Sequence, residues 1–421
     1  MPTMNMLWLA HAIPYPPKAG FLLRSYNLLK ELARQQTVDL IAFVQEPWVT
    51  TLFDTYEAGI EESRRALGEF CRNVTFLPID NLKRPAGKHI TALAALLGGR
   101  SYSASWLDSR TARAAVSRQL RSSQYDLVHF DTIGLAPYRE LIPHTPATLM
   151  HHNIESHMML RRADNSGNAL ARWYFKHEGR LLQHLEQSTA SQFARHITCS
   201  ELDNERIKAL LPNVQPVAIP NGVDCDYFTS AAAATRPNSL IFVGTMNWYP
   251  NVDAMLFFLR EVWPGVQQRI PTATLDIAGS NPPDTVVQLA RSLRNVKVHG
   301  YVPDVRPMID SAAVFVCPIR DGGGTKLKIL DAFAMKKCVL AHPIACEGID
   351  ATDERDVVFA AEPQDFVTRI VELLNDDARR ARIGTAAREL VERNYSFRAI
   401  GEQFSNVMAD VVHRSRTGRA N

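Results

Sequence analysis

PIRDGGGTKLKILDAFAMKKCVLAHP, residues 318–343, places three consecutive glycines just ahead of a predicted helix. Before the glycines, residues 313–317 form a short, β-branched apolar run that is typical of a buried strand. After them, Leu327, Leu330 and Phe333 recur near the helical period. The glycines therefore occupy a strand-to-helix turn, where bare backbone lets a phosphate approach the helix N-terminus. We interpret this turn as the holder of a diphosphate; the alternative is a flexible loop with solvated lysines.

Both side chains and amides around this turn are candidates for binding that anion. The basic side chains add charge, an acid one and a half turns into the helix is suited to sugar hydroxyls, and successive glycine amides can form an anion nest. These candidates are Arg320, Lys326, Lys328, Asp331, Gly323 and Gly324. For Lys328 the alternative is an ordinary lysine on the helix surface. The turn matches neither a Walker loop nor the dinucleotide fingerprint.

The composition is that of an ordinary globular protein with room for two or three domains. The chain has 421 residues, of which 46% are hydrophobic and 22% are charged, and its net charge is +3. That balance argues against a nucleic-acid binder. The six cysteines show no CxxC spacing, which favours reduced thiols. With no signal-like N-terminus, we expect a cytoplasmic protein.

A membrane-spanning segment is not expected. The closest apolar run, residues 91–97, is far too short to cross a bilayer as a helix. Peripheral attachment at the inner face of the membrane stays open, because a cationic amphipathic helix would be enough for it.

Short apolar runs alternate with amphipathic segments along the whole chain, which predicts parallel, doubly wound α/β sheets. The expected strands of the first half are 5–10, 38–44, 74–79, 126–130, 147–151 and 196–200. Those of the second half are 217–219, 240–243, 274–278, 296–299, 313–317, 338–341 and 357–359. Helices are expected between them, for example at 21–34, 252–263, 363–374 and 377–393.

Two successive alternations predict two Rossmann-like domains that face each other across a cleft. We expect an acceptor-binding domain over residues 1–200 and a donor-binding domain over residues 201–395. The amphipathic segment 396–421 lies outside the second alternation and is expected to return to the first domain as a helix. In such sheets ligands bind beyond the carboxyl ends of the strands, near the switch in strand order.

Loops after three expected strands of the first domain carry further candidates. Gly20 opens a helix after the proline-rich loop, and Arg24 one turn later is placed to reach an anionic acceptor; a capping glycine and an exposed arginine are the alternative. Asp131 and His152 each follow a strand end, although a lone histidine is more often structural. The neighbouring histidines lack a ligand spacing such as HExxH, so we expect no metal site.

Taken together, the motifs resemble those of family 4 glycosyltransferases, which have the GT-B fold. The stretch GGGTKLKILDAFAMKKCVLAHPIACEGI (322–349) looks like the donor-site signature of that family. Similar stretches occur in the same order along the chain: PYPPKAGFLLRSYNLLKELA (14–33), IPNGVDCDYF (219–228), IFVGTMNWYPNVDAMLFFLREVWP (241–264), LDIAGSNPP (275–283) and VHGYVPDVRPMIDSAAVFVCPI (298–319). The resemblance covers nearly the whole chain and is weakest over residues 50–120.

The resemblance implies roles for individual donor-site residues. Family members usually carry two glutamates separated by seven residues around the turn. Asp331 takes the second position, which binds the donor ribose, whereas Gly323 takes the first, where an acid usually contacts the transferred sugar. The backbone of Thr325 and Lys326 is expected at the diphosphate, and the backbone of Val302 at the nucleobase.

The resemblance also concerns the loop after Gly244 and several loops of the first domain. The loop after Gly244 lacks the arginine and lysine found in many members, so we infer that Lys326, Lys328 or Arg320 supplies that charge. A histidine in the loops that carry Asp131 and His152 often contacts the donor sugar. Gly20 corresponds to a helix start near the donor phosphate or the acceptor.

The resemblance implies a retaining glycosyltransferase that uses a nucleotide diphosphate sugar as donor substrate, with no separate cofactor and no metal. The expected partners are that donor and a glycan, lipid-linked or small acceptor, in polysaccharide or cell-envelope glycan assembly; nucleic acid is not expected. Two alternatives stay open. One is a nucleotide-sugar epimerase of the same fold, and the other is a non-catalytic nucleotide-sugar binder, which the missing acid at Gly323 leaves open.

Overall fold

The computed structural model describes residues 3–18, 20–82, 86–164, 166–231, 234–321 and 325–418. The chain divides into two compact units, Met1–Ile219 with Gly401–Asn421, and Pro220–Ile400. Each unit is a parallel α/β sheet, as the alternation in the sequence predicted.

The first unit contains a sheet with the strand order β3-β2-β1-β4-β5-β6-β7, and every described pairing in it is parallel. Its strands are β1 Asn5–Ala10, β2 Thr37–Val44, β3 Asn73–Pro78, β4 Leu127–Phe130, β5 Ala147–Met150, β6 Arg195–Thr198 and β7 Val217–Ala218. Its helices are α1 Gly20–Ala33, α2 Glu46–Leu52, α3 Tyr56–Gly68, α4 Gly87–Leu97, α5 Tyr102–Leu107, α6 Arg110–Ser122, α7 Glu155–Asp164, α8 Ala169–Thr189 and α9 Glu201–Leu210. Short 3₁₀ segments lie at Asp80–Leu82, Ile133–Leu141 and Ala190–Gln192.

The second unit contains a sheet with the order β10-β9-β8-β11-β12-β13, again parallel throughout the described pairings. Its strands are β8 Ser239–Val243, β9 Thr274–Ala278, β10 Val296–Gly300, β11 Val314–Cys317, β12 Val339–Ala341 and β13 Val358–Phe359. Its helices are α10 Tyr249–Phe257, α11 Trp263–Arg269, α12 Asp284–Ser292, α13 Arg306–Ser311, α14 Leu327–Ala334, α15 Pro363–Leu374 and α16 Asp377–Asn394, with a 3₁₀ turn at Pro343–Cys346.

The last helix, α17 Phe397–Thr417, returns to the first unit from Gly401 onward, as predicted. Its Phe404 and Met408 side chains are fully buried there. The Phe404 ring packs 5.7 Å from Trp8 of β1, and Met408 Sδ accepts a weak hydrogen bond from Thr148 of β5. The helix therefore completes the core of the first sheet.

Two details differ from the sequence prediction. The short strand predicted at 217–219 belongs to the first sheet, not to the second half, because β7 pairs with β6 and Ile219 N–H donates to the Thr198 carbonyl. The first unit therefore runs beyond residue 200. The single helix predicted at 252–263 is interrupted by a π turn at Phe258–Val262, next to Pro264, which lacks an N–H for the helical ladder.

The central strands are buried on both faces, which explains their continuous apolar sequences. In β8, Leu240 and Phe242 join one core cluster and Ile241 joins the cluster on the opposite face, as expected for side chains that alternate along a strand. Helix α14 is anchored in the second cluster through Ile329, Leu330 and Phe333, all fully buried. This packing holds the remaining face of α14, with Lys328 and Asp331, in a defined position.

Candidate active site

The predicted donor residues lie where the strand order of the second sheet reverses. The neighbouring strands β8 and β11 are followed by the loops that begin at Gly244 and at residue 318, and α14 starts after the second loop. Doubly wound sheets bind ligands at such switch points. Gly323 and Gly324 lie outside the described residues, so their predicted contacts stay predictions.

Lys328 reaches across this switch point to the end of β8. Its Nζ donates a 2.6 Å hydrogen bond to Asn251 Oδ1 and lies 4.5 Å from the centre of the Phe242 ring. Asn251 is itself fixed, since its Nδ2 donates to the Thr245 carbonyl at 2.7 Å. A side chain at Gly244 would collide with both the Lys328 ammonium and the Asn251 amide. The loop that lacks a cation in the sequence therefore receives one from α14.

Close backbone packing explains the two glycines at this edge. Gly279, at the end of β9, has φ of +157°, and a Cβ there would overlap the carbonyl of Gly244. Gly244 N–H donates to the Ala278 carbonyl at 2.9 Å, which continues the ladder past the end of β8. The absence of a side chain at Gly244 thus leaves space for the Lys328 ammonium.

Burial of the Lys328 ammonium lowers its pKa to about 8, and the neighbouring Lys326 adds to that effect. Lys328 is still mostly protonated at neutral pH. Its described hydrogen-bond partner, the Asn251 amide, is uncharged and does not balance the positive charge. A negatively charged ligand beside Gly244 would stabilise the charged form and raise this pKa again.

Asp331 lies one turn after Lys328 on the same helix. Burial raises the pKa of its carboxyl to about 8, although the charge of Lys328 acts in the opposite direction. Among the hydrogen bonds of the described residues, none involves this carboxyl group. A partly buried, largely protonated carboxyl group with no hydrogen-bond partner among the described residues is suited to hydroxyl ligands such as those of a sugar.

The start of α14 offers further groups for an anion. Lys326 is the N-cap residue, is only 4% exposed, and has a pKa that burial lowers. Within the part of the chain that the structure describes, no acceptor is found for the backbone N–H groups of Leu327 and Lys328, as is usual in the first turn of a helix. Thr325 Oγ1 is also buried, and it has no hydrogen-bond partner among the described residues.

Arg320 and Val302 complete the predicted donor residues of this unit. The Arg320 guanidinium is paired with Asp253 at 3.2 Å and stacks 3.9 Å from the Phe257 ring, so much of its charge is neutralised by α10. Val302 is half-buried in the loop after β10, and its backbone forms no hydrogen bond with any described residue. Its N–H and carbonyl groups thus have no partner among the described residues.

In the first unit, a polar cluster lies at the corresponding switch point, beyond the adjacent strands β1, β4 and β5. Asp131 follows β4 and is 1% exposed. Both of its oxygens accept from Ser25 Oγ at 3.0 Å, His152 Nε2 lies 3.2 Å from Oδ1, and His11 Nδ1 lies 3.4 Å from Oδ2. We name these four residues the Asp131 cluster: His11, Ser25, Asp131 and His152.

Burial alone would raise the pKa of Asp131, but His152 and His11 hold it well below the usual range. Asp131 is therefore ionised at neutral pH and fixes the orientation of His152. His151, by contrast, turns away, since its Nε2 lies 3.0 Å from His196 Nδ1 in the buried sheet and burial holds its pKa well below the usual range. The consecutive histidines thus have different roles.

A cation would have ligands available in this cluster. His11, Asp131 and His152 each offer one ligand atom, and these atoms lie within 4.8 Å of one another. The set differs from the neighbouring histidines weighed in the sequence, because His11 comes from a distant loop and His151 points elsewhere.

Two other predicted residues of the first unit have clear positions. Gly20 is the first residue of α1 and is exposed, with open space where a Cβ would stand. Arg24, predicted to bind an acceptor, is instead 2% exposed, and its Nη2 donates to the Ile219 carbonyl at 2.6 Å. Direct contact with an acceptor does not fit this burial; the arginine fixes the chain where it leaves the first unit.

Sequence reasoning missed His11, Ser25 and Asn251. His11 is the first residue after β1, so the rule that placed Asp131 and His152 at strand ends would also have found it. Asn251 lies close to the loop that follows β8, which the same rule selects, but no signal in the sequence distinguished it. Ser25 had no signal, because its contact depends on how α1 packs beside the sheet ends.

Two protein-family models match the chain. They are described as Glycosyltransferase Family 4, over residues 81–227, and Glycosyl transferases group 1, over residues 237–376. Together these ranges cover more than half of the chain. The first range contains Asp131 and His152, and the second contains Lys328 and Asp331.

Similar proteins agree with these matches. The "uncharacterized 44.6 kDa protein in cps region" of Klebsiella pneumoniae is 22% identical over 246 residues, which are 56% of this chain and 61% of the relative. The GDP-mannose-dependent monoacylated alpha-(1-6)-phosphatidylinositol monomannoside mannosyltransferase of Corynebacterium glutamicum is 27% identical over 209 residues, with 45% and 55% covered. The matched segments span little more than half of the length of these relatives.

Among solved structures, Alr3699/HepE from Anabaena, determined in complex with UDP, has a TM-score of 0.64 at 13% identity. The likeness covers 97% of this chain and 100% of that one. At this identity it shows the fold alone, which is the predicted GT-B arrangement of Rossmann-like units in one chain.

The geometry of Lys328 predicts a loss of diphosphate affinity in Lys328→Met. A hydrogen bond between charged groups contributes about 1.5–3 kcal/mol, so the dissociation constant for UDP should rise about tenfold to a hundredfold. In the parent protein, the affinity should fall as the pH rises through about 8, where Lys328 loses its proton. Titration calorimetry measures both effects. Lys297→Met, at an exposed position on β10, is the matched control, and equal affinities in the two variants would contradict the assignment.

The raised pKa of Asp331 predicts a specific dependence of stability on pH. Between its usual pKa and about 8, the folded protein keeps a proton that the unfolded chain has lost, so this group makes the fold less stable as pH rises. Asp331→Asn removes the effect. The melting temperature of the variant relative to the parent should therefore increase from pH 5 to pH 8.

Thermal unfolding in a series of buffers measures that difference. Asp226→Asn, at an exposed position in the same unit, should show no such trend. A constant difference for Asp331→Asn, or a decreasing one, would show that Asp331 is ionised in the folded protein.

Proposed function

We propose that this chain, which belongs to glycosyltransferase family 4, is a retaining glycosyltransferase with a nucleoside diphosphate sugar as donor. The acceptor is a hydroxyl group of a glycan, a lipid-linked saccharide or a small molecule. Assembly of a polysaccharide or cell-envelope glycan is the proposed setting. The names of the Klebsiella and Corynebacterium relatives, a cps-region protein and a phosphatidylinositol mannoside mannosyltransferase, support that setting by analogy.

One observation carries the proposal: the Lys328 ammonium is held by Asn251 against Gly244, at the switch point of the second sheet and beside the start of α14. Transfer requires the bond between the anomeric carbon and the diphosphate oxygen to break, and the electron pair leaves with the diphosphate. A positioned cation and helix N-terminal amides stabilise the charge that develops on this leaving group. Because these groups are already in place, little reorganisation is needed during the reaction.

The same unit provides groups for the nucleoside. Asp331, one helical turn from Lys328, binds the ribose hydroxyls in our proposal, and its lack of a described protein partner supports that role. The open backbone groups of Val302 bind the base. Thr325 Oγ1, buried without a described partner, is available to a phosphate oxygen.

The Asp131 cluster supplies the polar groups of the first unit. Asp131 is enclosed by Ser25, His11 and His152, so we assign it a positioning role, not direct contact with the substrate as the sequence suggested. His152 uses Nε2 toward Asp131, and no described residue forms a hydrogen bond with its Nδ1. That nitrogen is available to a sugar hydroxyl, and His152 is the catalytic candidate of this unit.

We further propose that transfer needs no metal, because Lys328 and the α14 amides provide the positive charge at the leaving group. Metal independence can be tested, because His11, Asp131 and His152 are close enough to one another to hold a cation. Activity that is lost with a chelator and restored by Zn²⁺ or Mn²⁺ would contradict metal independence.

A donor and acceptor screen tests the function itself. The purified chain is incubated with UDP-, GDP- and ADP-linked sugars together with glycan and lipid-linked acceptors, and products are identified by mass spectrometry. We expect one donor to yield a glycosylated acceptor and free nucleoside diphosphate, with the anomeric configuration of the donor retained in NMR spectra. Interconversion of free donors would instead indicate an epimerase, and binding without turnover would indicate a non-catalytic binder.

The proposed role of His152 predicts a separation of catalysis from donor binding. His152→Ala should lower kcat about fivefold to a hundredfold, because the loss of one partner of a buried hydrogen bond costs about 1–3 kcal/mol. Its affinity for UDP should stay within about twofold of the parent value, because the nucleotide groups come from the second unit.

His157→Ala is the matched control, since His157 is a nearby histidine on α7 outside the Asp131 cluster. Equal kcat values for the two variants would exclude His152 from the reaction.

A further inference from the structure

A cavity of about 560 Å³ lies within the first unit, away from the Asp131 cluster. It opens beyond the amino ends of β5 and β6, and Ala147 and Arg195, the first residues of these strands, line it. The Asp131 cluster lies beyond the carboxyl ends of β1, β4 and β5, at the opposite edge of the same sheet. The cavity is therefore separate from the candidate active site. Its volume is in the range of sites that bind small molecules.

We name this space the Arg139 cavity, after a lining residue whose charge no described carboxylate balances. Arg139 Nε donates to the Gln192 carbonyl at 2.8 Å, which holds the side chain in place. Its Nη1 is buried and has no hydrogen-bond partner among the described residues. The adjacent acid, Glu140, is paired with Arg113 instead. A half-buried guanidinium without a counterion is stabilised when an anion binds beside it.

Two further guanidinium groups line the cavity and share one carboxylate. Arg195 Nη2 lies 3.5 Å and Arg414 Nε 2.9 Å from Asp410 Oδ2. Arg195 Nη1 also donates to the Gln215 carbonyl at 3.1 Å, so this side chain is held in place as well. With Arg139, three guanidinium groups face one described carboxylate, an excess of two positive charges. The described residues that line the cavity include no aspartate or glutamate.

The remaining wall is suited to the uncharged part of an organic molecule. Pro143, Pro146 and Val214 contribute apolar surface, and Ser191 and Gln215 are exposed polar residues. A mostly uncharged wall with a few charged groups is typical of sites for small organic ligands.

A phosphate monoester fits the charge of the cavity better than a carboxylate does. Near neutral pH its charge is about −1.5 to −2, and it offers three acceptor oxygens. A carboxylate has a single negative charge and two oxygens, so it balances only half of the excess. Guanidinium groups bind phosphate through paired, charge-assisted hydrogen bonds.

We propose that the Arg139 cavity binds a small organic phosphate, whose phosphate group accepts hydrogen bonds from Arg139 and Arg195. The carbon part of the ligand lies against the apolar wall. The proposal does not depend on the donor site, so it stands or falls separately from glycosyl transfer.

Titration calorimetry with phenyl phosphate tests this proposal. The measurements use the full chain with Lys328→Met as the reference protein, because the proposed donor site would also attract a phosphate. Phenyl phosphate should bind, and benzoate should bind about tenfold more weakly or less, because it carries half of the charge. Addition of Arg139→Met should weaken phenyl phosphate binding about tenfold or more, since the unbalanced guanidinium is lost. Addition of Arg118→Met, at an exposed position on α6, is the control and should leave binding unchanged.

Ser191→Glu tests the cavity without removing an arginine. It places a carboxylate at an exposed position on the cavity wall, so it should weaken phenyl phosphate binding about fivefold or more. Ser188→Glu makes the same charge change at an exposed position on α8 that does not line the cavity, and it should bind like the reference protein. Both serine variants should keep the unfolding temperature of the reference protein, so they decide the matter if Arg139→Met does not fold.

Three results would overturn the proposal. The first is no binding of phenyl phosphate to the reference protein. The second is equal binding by Ser191→Glu and Ser188→Glu, or by folded Arg139→Met and Arg118→Met. The third is equal affinity for benzoate and phenyl phosphate, which would contradict the assignment of a phosphate.

Discussion

The contact between the Lys328 ammonium and the end of β8 determines the character of the proposed donor site. The hydrogen bond to Asn251 fixes the ammonium at 2.6 Å, and Gly244 provides the space for it. Placing a cation at a strand end costs desolvation, which appears as the lowered pKa of Lys328. In our proposal a bound diphosphate offsets this cost, because it places negative charge beside the ammonium. Binding of an anion should therefore raise the pKa of Lys328 toward its usual value.

Asp331 is the proposed binding group for the uncharged ribose of the donor. Its carboxyl group is held mostly protonated by burial, one turn from a lysine that is itself incompletely neutralised. Lys328 and Asp331 therefore do not form a simple ion pair. The ammonium can still bind an anion, and the carboxyl group can still form hydrogen bonds with hydroxyl groups. In the first unit the situation differs, because the Asp131 carboxylate is already satisfied by Ser25 and two histidines. That difference is why we assign binding to Asp331 and positioning to Asp131.

The strands, and the location of the candidate residues at the switch points, were predictable because they depend on local patterns. Buried β-branched runs mark the strands, and the carboxyl-end rule brought Asp131, His152 and Lys328 into consideration. The two-residue strand β7 was assigned to the wrong half, because so short a segment carries no periodicity and its partner is set by topology. The burial of Arg24 and the contact of Lys328 with Gly244 depend on tertiary packing between distant segments. The exposure of Ile90, Leu93 and Leu97 on α4 was not predicted either, since an apolar helical run is normally expected to face the core. Within the described ranges, no helix combines the length and apolarity that crossing a membrane requires.

A crystal structure with bound UDP is the most direct test of the central claim. Our account predicts a β-phosphate oxygen within about 3 Å of Lys328 Nζ, with backbone N–H groups at the start of α14 donating to the diphosphate. It also predicts the ribose hydroxyls at Asp331. A diphosphate bound elsewhere, with Lys328 still directed only to Asn251, would contradict the account.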